Sequence, residues 1–456
     1  METSTTPPKA LDYNARHGYL TKPVETSGMP PAVPYIVSSE AAERFSFYGM
    51  RAILAVFMTK YLCDSSGKLA TMNEEEAKYW QHLFIFAVYF FPLFGAIIAD
   101  GFLGKYRTII YLSIVYCFGH MALALDDTRL GLFIGLSLIV MGAGGIKPCV
   151  AATVGDQFGS KNQHLLPRVF SWFYFSINLG SFLSMLTIPE ILDKYGAHWA
   201  FAIPGILMAI ATAVFWAGRH KYAHAPAQGV EFVKETFSLR SLGIIGRLIV
   251  LYVFVAAFWS LFDQTSSAWV LQAEKMNREF LGKEWLASQV QAVNPLFILA
   301  FIPLFSYVLY PAANRFFELT PLRKIAIGFF TAIPSFVIPA WVEWCIGLGE
   351  HPAIYWHIIA YIFMTAAEIL ISITCLEFSY TQAPKRMKSL VMSIYLCSIA
   401  LGNLFTALVN KFIQNADGTS KLPGANYYVF FTGLIVVTSI GFLFVTPLLK
   451  KKQMSP

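Results

Sequence analysis

Charged residues are scarce in this chain of 456 residues: 13% are Asp, Glu, Lys or Arg, whereas 56% are hydrophobic. A water-soluble protein of this length needs far more polar surface to cover its core. The mean hydropathy of +0.55 therefore indicates a protein embedded in a membrane. The net charge of +7 does not indicate nucleic-acid binding, because the cations lie in loops between apolar runs.

Patterns typical of a metal centre, a disulfide framework or a catalytic site are also lacking. The six cysteines form no CxxC pair and mostly lie in apolar stretches, where cysteine usually packs as a small hydrophobic residue. The nine histidines form no HExxH pattern. We therefore expect no metal, no cofactor and no enzymatic activity.

The first 34 residues lack the apolar core of a cleavable signal peptide. They are rich in Thr and Pro and include Lys9, Arg16 and Lys22. This composition is typical of disorder. We expect residues 1–34 to form a disordered tail on the cytoplasmic side.

Twelve apolar runs are long enough to cross the hydrocarbon layer of a membrane, which takes about twenty residues. Because a segment in lipid must satisfy its own backbone hydrogen bonds, each run predicts a helix. The predicted spans are 35–62, 79–99, 107–125, 130–154, 167–188, 198–217, 244–270, 287–310, 323–346, 353–378, 388–411 and 426–449.

The distribution of Lys and Arg predicts the orientation of these spans. If both termini are cytoplasmic, 21 of the 34 cations fall in inner segments, 9 in outer segments and 4 within spans. Cytoplasmic loops are enriched in cations in this way. The basic linker 218–243 separates two six-helix halves, 35–217 and 244–449, and 450–456 forms a cytoplasmic tail. This predicts an all-α membrane protein of twelve transmembrane helices with the major facilitator fold, whose ligand binds between the halves.

Ionisable residues inside the spans point to a functional site, because each is costly in the bilayer. Glu40, Glu43, Arg44 and Arg51 lie along one stripe of span 1 at helical spacing. A cluster of acids and bases suits a group that loads and releases a proton. The alternative is a structural ion-pair cluster near the membrane surface.

Lys147 in span 4 follows three closely spaced glycines, which allow close helix packing. A buried ammonium needs a carboxylate partner or an anionic ligand. Glu40 or Glu43 is the candidate partner. The alternative is that the side chain reaches the membrane surface, which its position in the middle of the span disfavours.

The second half contributes acids, Asp263 in span 7 and Glu368 in span 10. Together with Arg51 and Lys147 of the first half, they would form a dipolar cleft. Such a cleft would orient a zwitterion, and a peptide is one of several zwitterions that fit.

Aromatic and amide residues complete the predicted site. Tyr48, Tyr89 and Trp259 would form walls that hold variable side chains by shape and stacking. Asn178 and Asn294 fit two functions equally well, a ligand contact or a hydrogen bond between helices.

Longer motifs containing these residues run through both halves of the chain. They are EAAERFSFYG at 40–49, GAGGIKP at 142–148, FYFSINLGS at 173–181, FWSLFDQ at 258–264, NP at 294–295, AE at 367–368 and EFSYTQAP at 377–384. Together they resemble the signatures of the proton-dependent oligopeptide transporter family of the major facilitator superfamily.

The resemblance implies roles for individual residues. The residues that would couple proton movement to transport are Glu40, Glu43, Arg44, Lys147 and Asp263. The residues that would contact substrate are Arg51, Tyr48, Tyr89, Lys147, Asn178, Trp259, Asn294 and Glu368. Arg51, Lys147 and Asn178 would face the peptide carboxylate. Asn294 and Glu368 would face its amino group, and Asp263 would also help to close the outer side.

Three positions depart from the family pattern. Phe47 replaces the first tyrosine of a Tyr-Tyr-Gly motif, Cys149 replaces an asparagine, and Tyr395 stands where tryptophan is usual. We expect these departures to affect which peptide side chains fit, and not the class of protein.

The resemblance implies a symporter in the plasma (inner) membrane that imports di- and tripeptides, with protons as the coupling ion. Its partners would be small peptides and the lipid bilayer, without nucleic acid, and it would act as a monomer. Two alternatives remain open. The same fold could carry nitrate, amino acids or peptidomimetics, or a receptor could bind peptides without moving them.

Overall fold

Helices form most of the chain in the computed structural model, which describes residues 17–224, 227, 239–382, 388–415 and 419–451. Half of the predicted linker and most of the predicted C-terminal tail therefore lie outside the described residues. The α-helices up to residue 217, which we call the N-terminal group, are α1 (Val33–Lys60), α2 (Glu74–Phe90), α3 (Pro92–Ile98), α4 (Lys105–Leu125), α5 (Arg129–Gly155) and α6 (Leu166–Ala217).

The remaining α-helices form what we call the C-terminal group. They are α7 (Leu239–Phe262), α8 (Ala268–Ala273), α9 (Val293–Leu304), α10 (Tyr310–Ala313), α11 (Pro321–Ala332), α12 (Pro334–Gly347), α13 (Tyr355–Glu368), α14 (Thr374–Gln382), α15 (Lys388–Ile413) and α16 (Ala425–Lys451).

Short segments of other geometry join these helices. The 3-10 helices are Gln163–Leu165, Asp263–Ser266 and Ala287–Ala292, and the π-helical segments are Ala99–Leu103, Phe305–Leu309 and Ile369–Ile373. A two-residue antiparallel hairpin pairs β1 (Glu279–Phe280) with β2 (Lys283–Glu284). Its turn takes positive φ angles at Leu281 and Gly282.

Ten helical segments of the described chain are long and apolar enough to cross a membrane. This confirms a helical membrane protein and differs from the twelve predicted spans for two reasons. α1 is long enough but carries four charged residues between positions 40 and 51. The segment Gln163–Ala217 has 55 residues, about twice the length of a span. Gly196 interrupts its helical geometry with φ of +83°.

Part of the stretch 17–32 contacts the chain that follows α6, although most of its residues are exposed. The disorder predicted for residues 1–34 stays a prediction. The Leu20 carbonyl accepts a hydrogen bond from the His224 amide at 2.7 Å. The ring of Tyr19 stacks on that of His224, with 4.4 Å between centroids. The segment thus finds aromatic and backbone partners on the chain that follows α6, which composition alone does not reveal. Residues 1–16 lie outside the described part.

The two groups meet where α2 packs on α15 and where α6 packs on α9 and the preceding 3-10 helix. We call the end that carries loops 61–73 and 274–286 the predicted outer end, because the charge distribution places these loops outside. At this end, the 3-10 helices Asp263–Ser266 and Ala287–Ala292 lie against α1.

Glycines allow the closest helix contacts in the N-terminal group. A Cβ atom at Gly95 of α3 would lie 2.3 Å from the carbonyl oxygen of Gly144 in α5. A Cβ atom at Gly180 of α6 would lie 2.6 Å from the carbonyl oxygen of Ala41 in α1. The glycines before Lys147 therefore provide the close packing that their spacing predicts.

Replacing Gly95 by Ala should destabilise the protein by about 1–3 kcal/mol, because the new methyl group overlaps the backbone of α5. Gly101→Ala is the matched control, since a Cβ atom there meets no heavy atom within 4 Å. The apparent melting temperature in detergent should fall only for Gly95→Ala. An unchanged melting temperature for Gly95→Ala would contradict the contact between α3 and α5.

Candidate functional site

α1 carries the predicted acid–base cluster on one buried face. Glu40, Glu43 and Arg44 are 3%, 2% and 9% exposed. The Arg44 Nε donates a hydrogen bond to Glu40 Oε1 at 2.7 Å and lies 2.9 Å from Glu43 Oε2. The guanidinium of Arg44 thus forms ion pairs with two carboxylates. The sequence prediction that these three residues form one cluster is confirmed.

Lys147 has different neighbours from those predicted. Its Nζ lies 4.2 Å from the ring centroid of Phe47 and 4.1 Å from that of Tyr89, and it has no hydrogen-bond partner among the described residues. The predicted ion pair with Glu40 or Glu43 is therefore wrong in this structure. The physical reason is that Arg44 takes both carboxylates, while the two ring faces attract the ammonium.

Arg51 and Asp263 form an ion pair that joins the two helix groups. Both side chains are buried, at 5% and 2% exposure. Arg51 also donates to the hydroxyl of Ser266 at 3.0 Å, and Asn403 donates to the second Asp263 oxygen at 2.6 Å. The guanidinium of Arg51 therefore binds the C-terminal group here, although the resemblance implies that it faces a peptide carboxylate.

Two further residues of α2 strengthen this contact, and the sequence analysis missed both. One His82 ring nitrogen lies 2.7 Å from Asn403 Oδ1 and the other lies 2.9 Å from Ser267 Oγ. Gln81 donates to the Ser266 carbonyl at 2.7 Å. The sequence does indicate that His82 and Gln81 are candidate contact residues, because both are polar residues inside an apolar run.

Surface ion pairs surround the buried contact at the predicted outer end. They are Lys60 with Glu274, Lys275 with Glu74 and Lys283 with Glu190. Partial burial acts to lower the pKa of Lys275, but the Glu74 carboxylate at 2.8 Å raises this pKa above its ordinary value. Each exposed pair contributes little alone. The specific way in which the two groups meet at this end therefore depends mostly on the buried contact of Arg51.

Glu368 and Asn294, which the resemblance assigns to the peptide amino end, contact each other inside the C-terminal group. The Asn294 amide donates to Glu368 Oε2 at 2.9 Å and to Thr365 Oγ1 at 3.1 Å. Glu368 is partly buried and lies at the end of α13, where the chain continues as a π-helical segment. Its carboxylate is held by an amide and forms no ion pair with a described residue.

The remaining predicted site residues occupy aromatic or helical surroundings. The Asn178 amide donates to the Tyr174 carbonyl of its own helix at 2.9 Å. Trp259 is buried, and its ring centroid lies 5.3 Å from that of Phe258. Tyr48 is half-buried and makes an edge-to-face contact with Phe47 at 5.3 Å. None of these contacts by itself identifies a ligand.

Two charges of opposite sign differ from the rest in having no ionic partner among the described residues. Lys147 in the N-terminal group and Glu368 in the C-terminal group lack ionic partners in the described chain. The other two opposite charges, Arg51 and Asp263, form an ion pair with each other. Apolar membrane helices with such buried charges are typical of membrane transporters.

The chain belongs to the POT family, whose sequence model matches residues 106–245 and 238–429. It is 37% identical over 361 residues to "Peptide transporter family 1" of Drosophila melanogaster, covering 69% of this chain and 48% of that protein. It is 37% identical over 368 residues to "Solute carrier family 15 member 2" of Homo sapiens, covering 70% of this chain and 49% of that protein. The chain thus spans about half the length of these curated relatives. They are transporters and not enzymes.

Solved structures resemble the fold along nearly the whole chain. The POT family transporter PepTSo has a TM-score of 0.84 and 34% identity, covering 93% of this chain and 99% of that chain. A mutant peptide transporter POT in complex with alafosfalin has a TM-score of 0.79 and 26% identity, covering 95% of this chain and 97% of that chain.

Replacing Asp263 by Asn should open the predicted outer end, because Arg51 would remain buried without a counter-charge. Breaking a buried pair in this way costs about 3–5 kcal/mol. Spin labels at positions 195 and 281, both highly exposed, report the separation of the two groups there. The distance distribution should lengthen and broaden, measured in a variant that lacks the native cysteines.

Glu318→Gln is the matched control, because it removes an exposed acid from the opposite end of the helices. Its distance distribution should equal that of the wild type. An unchanged distribution in Asp263→Asn would show that the Arg51 pair does not hold the two groups together.

Proposed function

We propose that this protein is a proton-coupled symporter that imports di- and tripeptides by alternating access. The observation that carries the proposal is the uneven pairing of buried charges. Lys147 and Glu368 have no ionic partners among the described residues, and they belong to different helix groups. A peptide supplies a carboxylate for the first and an ammonium for the second.

The relatives support a peptide as the substrate. Those cited above are named peptide transporter or solute carrier, and a structural neighbour holds alafosfalin. We propose twelve spans, obtained by counting α1 as a span and dividing Gln163–Ala217 at Gly196. The cation distribution supports cytoplasmic termini. A plasma-membrane location and a monomeric state complete the proposal.

The cluster on α1 suits proton loading. Arg44 is shared by Glu40 and Glu43, so the three groups would carry one net negative charge with both carboxyls ionised and none after one of them is protonated. Protonation of one carboxyl leaves Arg44 paired with the other, which avoids an uncompensated charge in the membrane. A cavity of about 20 Å³ borders both carboxylates, roughly the space that one water molecule needs. The cavity therefore has room for about one water molecule beside the two carboxyl groups.

The ion pair between Arg51 and Asp263 supplies the switch between the two access states. In the described conformation it closes the predicted outer end. Protonation of Asp263 would remove the attraction, and the equilibrium would shift toward an outer-open state. Substrate and proton would then enter from the same side, as symport requires. Protons are the only coupling ion in this scheme, and no cofactor takes part.

The direct test is uptake of labelled dialanine into proteoliposomes with an imposed inward proton gradient. The wild type should accumulate dialanine, and uptake that ignores the gradient would refute proton coupling. Lys147→Ala should lose gradient-driven uptake, because the carboxylate end of the peptide loses its cation. Lys161→Ala, which removes an exposed lysine, is the control and should keep wild-type rates. Wild-type rates in Lys147→Ala would contradict the role of this residue.

Replacing Glu368 by Gln should raise the dialanine concentration for half-maximal uptake by about tenfold or more, because a charge-assisted hydrogen bond to the peptide amino group is lost. N-acetylated dialanine lacks that ammonium and should compete equally weakly in wild type and variant. An unchanged half-saturation concentration for dialanine would place the amino group elsewhere.

The same proteoliposomes distinguish the proposed function from two alternative functions. If a protein of this fold carries another solute, such as nitrate or an amino acid, that solute should outcompete dialanine. A receptor would bind dialanine without exchanging it across the bilayer, so counterflow would be zero.

A further inference from the structure

The ammonium of Lys147 is held between two aromatic rings inside the N-terminal group. Both ring centroids, of Phe47 and Tyr89, lie within 4.2 Å of Nζ. This is well inside the roughly 6 Å at which a cation is attracted to a ring face. The two nearby carboxylates on α1 contact Arg44 instead.

A ring face differs from a carboxylate as a partner for this ammonium. It attracts the positive charge without neutralising it and without accepting the N–H groups as a conventional acceptor does. The ammonium therefore keeps its donors for an incoming anion. A lysine paired with glutamate would have to break that pair before it could bind the same anion.

Phe47 is the more rigid of the two rings. Its side chain is fully buried, whereas Tyr89 is half-buried. The neighbouring Tyr48 ring meets it edge-to-face at 5.3 Å, and the Phe84 ring lies 6.4 Å away. Such packing leaves the Phe47 ring little freedom to move away from Lys147.

We infer that Phe47 is a positioning residue, which holds the Lys147 ammonium by its ring face in readiness for the carboxylate of the substrate. The inference rests on the proposed peptide transport. It gives position 47 a function in recognising the charged end of the substrate, where the family resemblance suggested only an effect on side-chain preference. What the site requires at position 47 is an aromatic ring, and the hydroxyl group of a tyrosine is dispensable.

The test is the affinity of purified protein for dialanine in a series of variants. Phe47→Leu keeps an apolar side chain but removes the ring face, and its Kd should rise about tenfold. Phe47→Tyr keeps the ring and should stay within about twofold of wild type. Phe57→Leu is the matched control, because it removes an equally buried ring of the same helix whose ring contact is with Phe201, and its Kd should not change.

A second measurement separates positioning from simple packing. In a Lys147→Gln background, Phe47→Leu should cause no further loss of affinity, because the ring then has no cation to hold. An equal loss in both backgrounds would show that Phe47 only shapes the pocket, and would overturn the inference. Melting curves without ligand exclude misfolding, since Phe47→Leu and Phe57→Leu should be destabilised alike.

The outcomes also distinguish this inference from the proposed function. A wild-type protein that binds no dialanine would refute the proposed function. A wild-type protein that binds dialanine, together with Phe47→Leu of equal affinity, would refute the positioning role of Phe47 alone.

Discussion

The buried ion pair of Arg51 and Asp263 determines how the two helix groups meet. Each side chain is almost completely buried, so separating them exposes a charge to a poorly polar interior. The pair is supported by Asn403 and Ser266, which hold its remaining polar atoms. A proton or ligand that acts on Asp263 would therefore act on the whole contact at this end.

The other buried charges differ in the groups with which they are paired. Arg44 is shared by two carboxylates, which leaves Lys147 without an acid. Lys147 is stabilised by aromatic rings, and Glu368 by the amide of Asn294. These neutral partners keep both charges in the membrane interior without cancelling them. One cation and one anion are thus left without an ionic partner in the described chain, which the proposed zwitterionic substrate would require.

Much of the fold and part of the site could be predicted from the sequence. Apolar runs indicate membrane helices because lipid forces backbone groups into helical hydrogen bonds. The spacing of Glu40, Glu43 and Arg44 fixes their shared helix face. Partner choice between helices could not be predicted, since periodicity does not say which faces meet. For this reason the sequence predicts a glutamate as the partner of Lys147 and a substrate as the partner of Arg51, and it does not indicate the contacts of His82 with the C-terminal group.

The most direct measurement is an experimental structure of the protein in a lipid nanodisc with dialanine bound. The peptide carboxylate should lie within about 3 Å of the Lys147 ammonium, and the peptide amino group at a similar distance from Glu368. Phe47 should still cover the opposite side of that ammonium. A peptide bound elsewhere, or Lys147 and Glu368 facing lipid, would contradict the assignment of a charged substrate site between the helix groups.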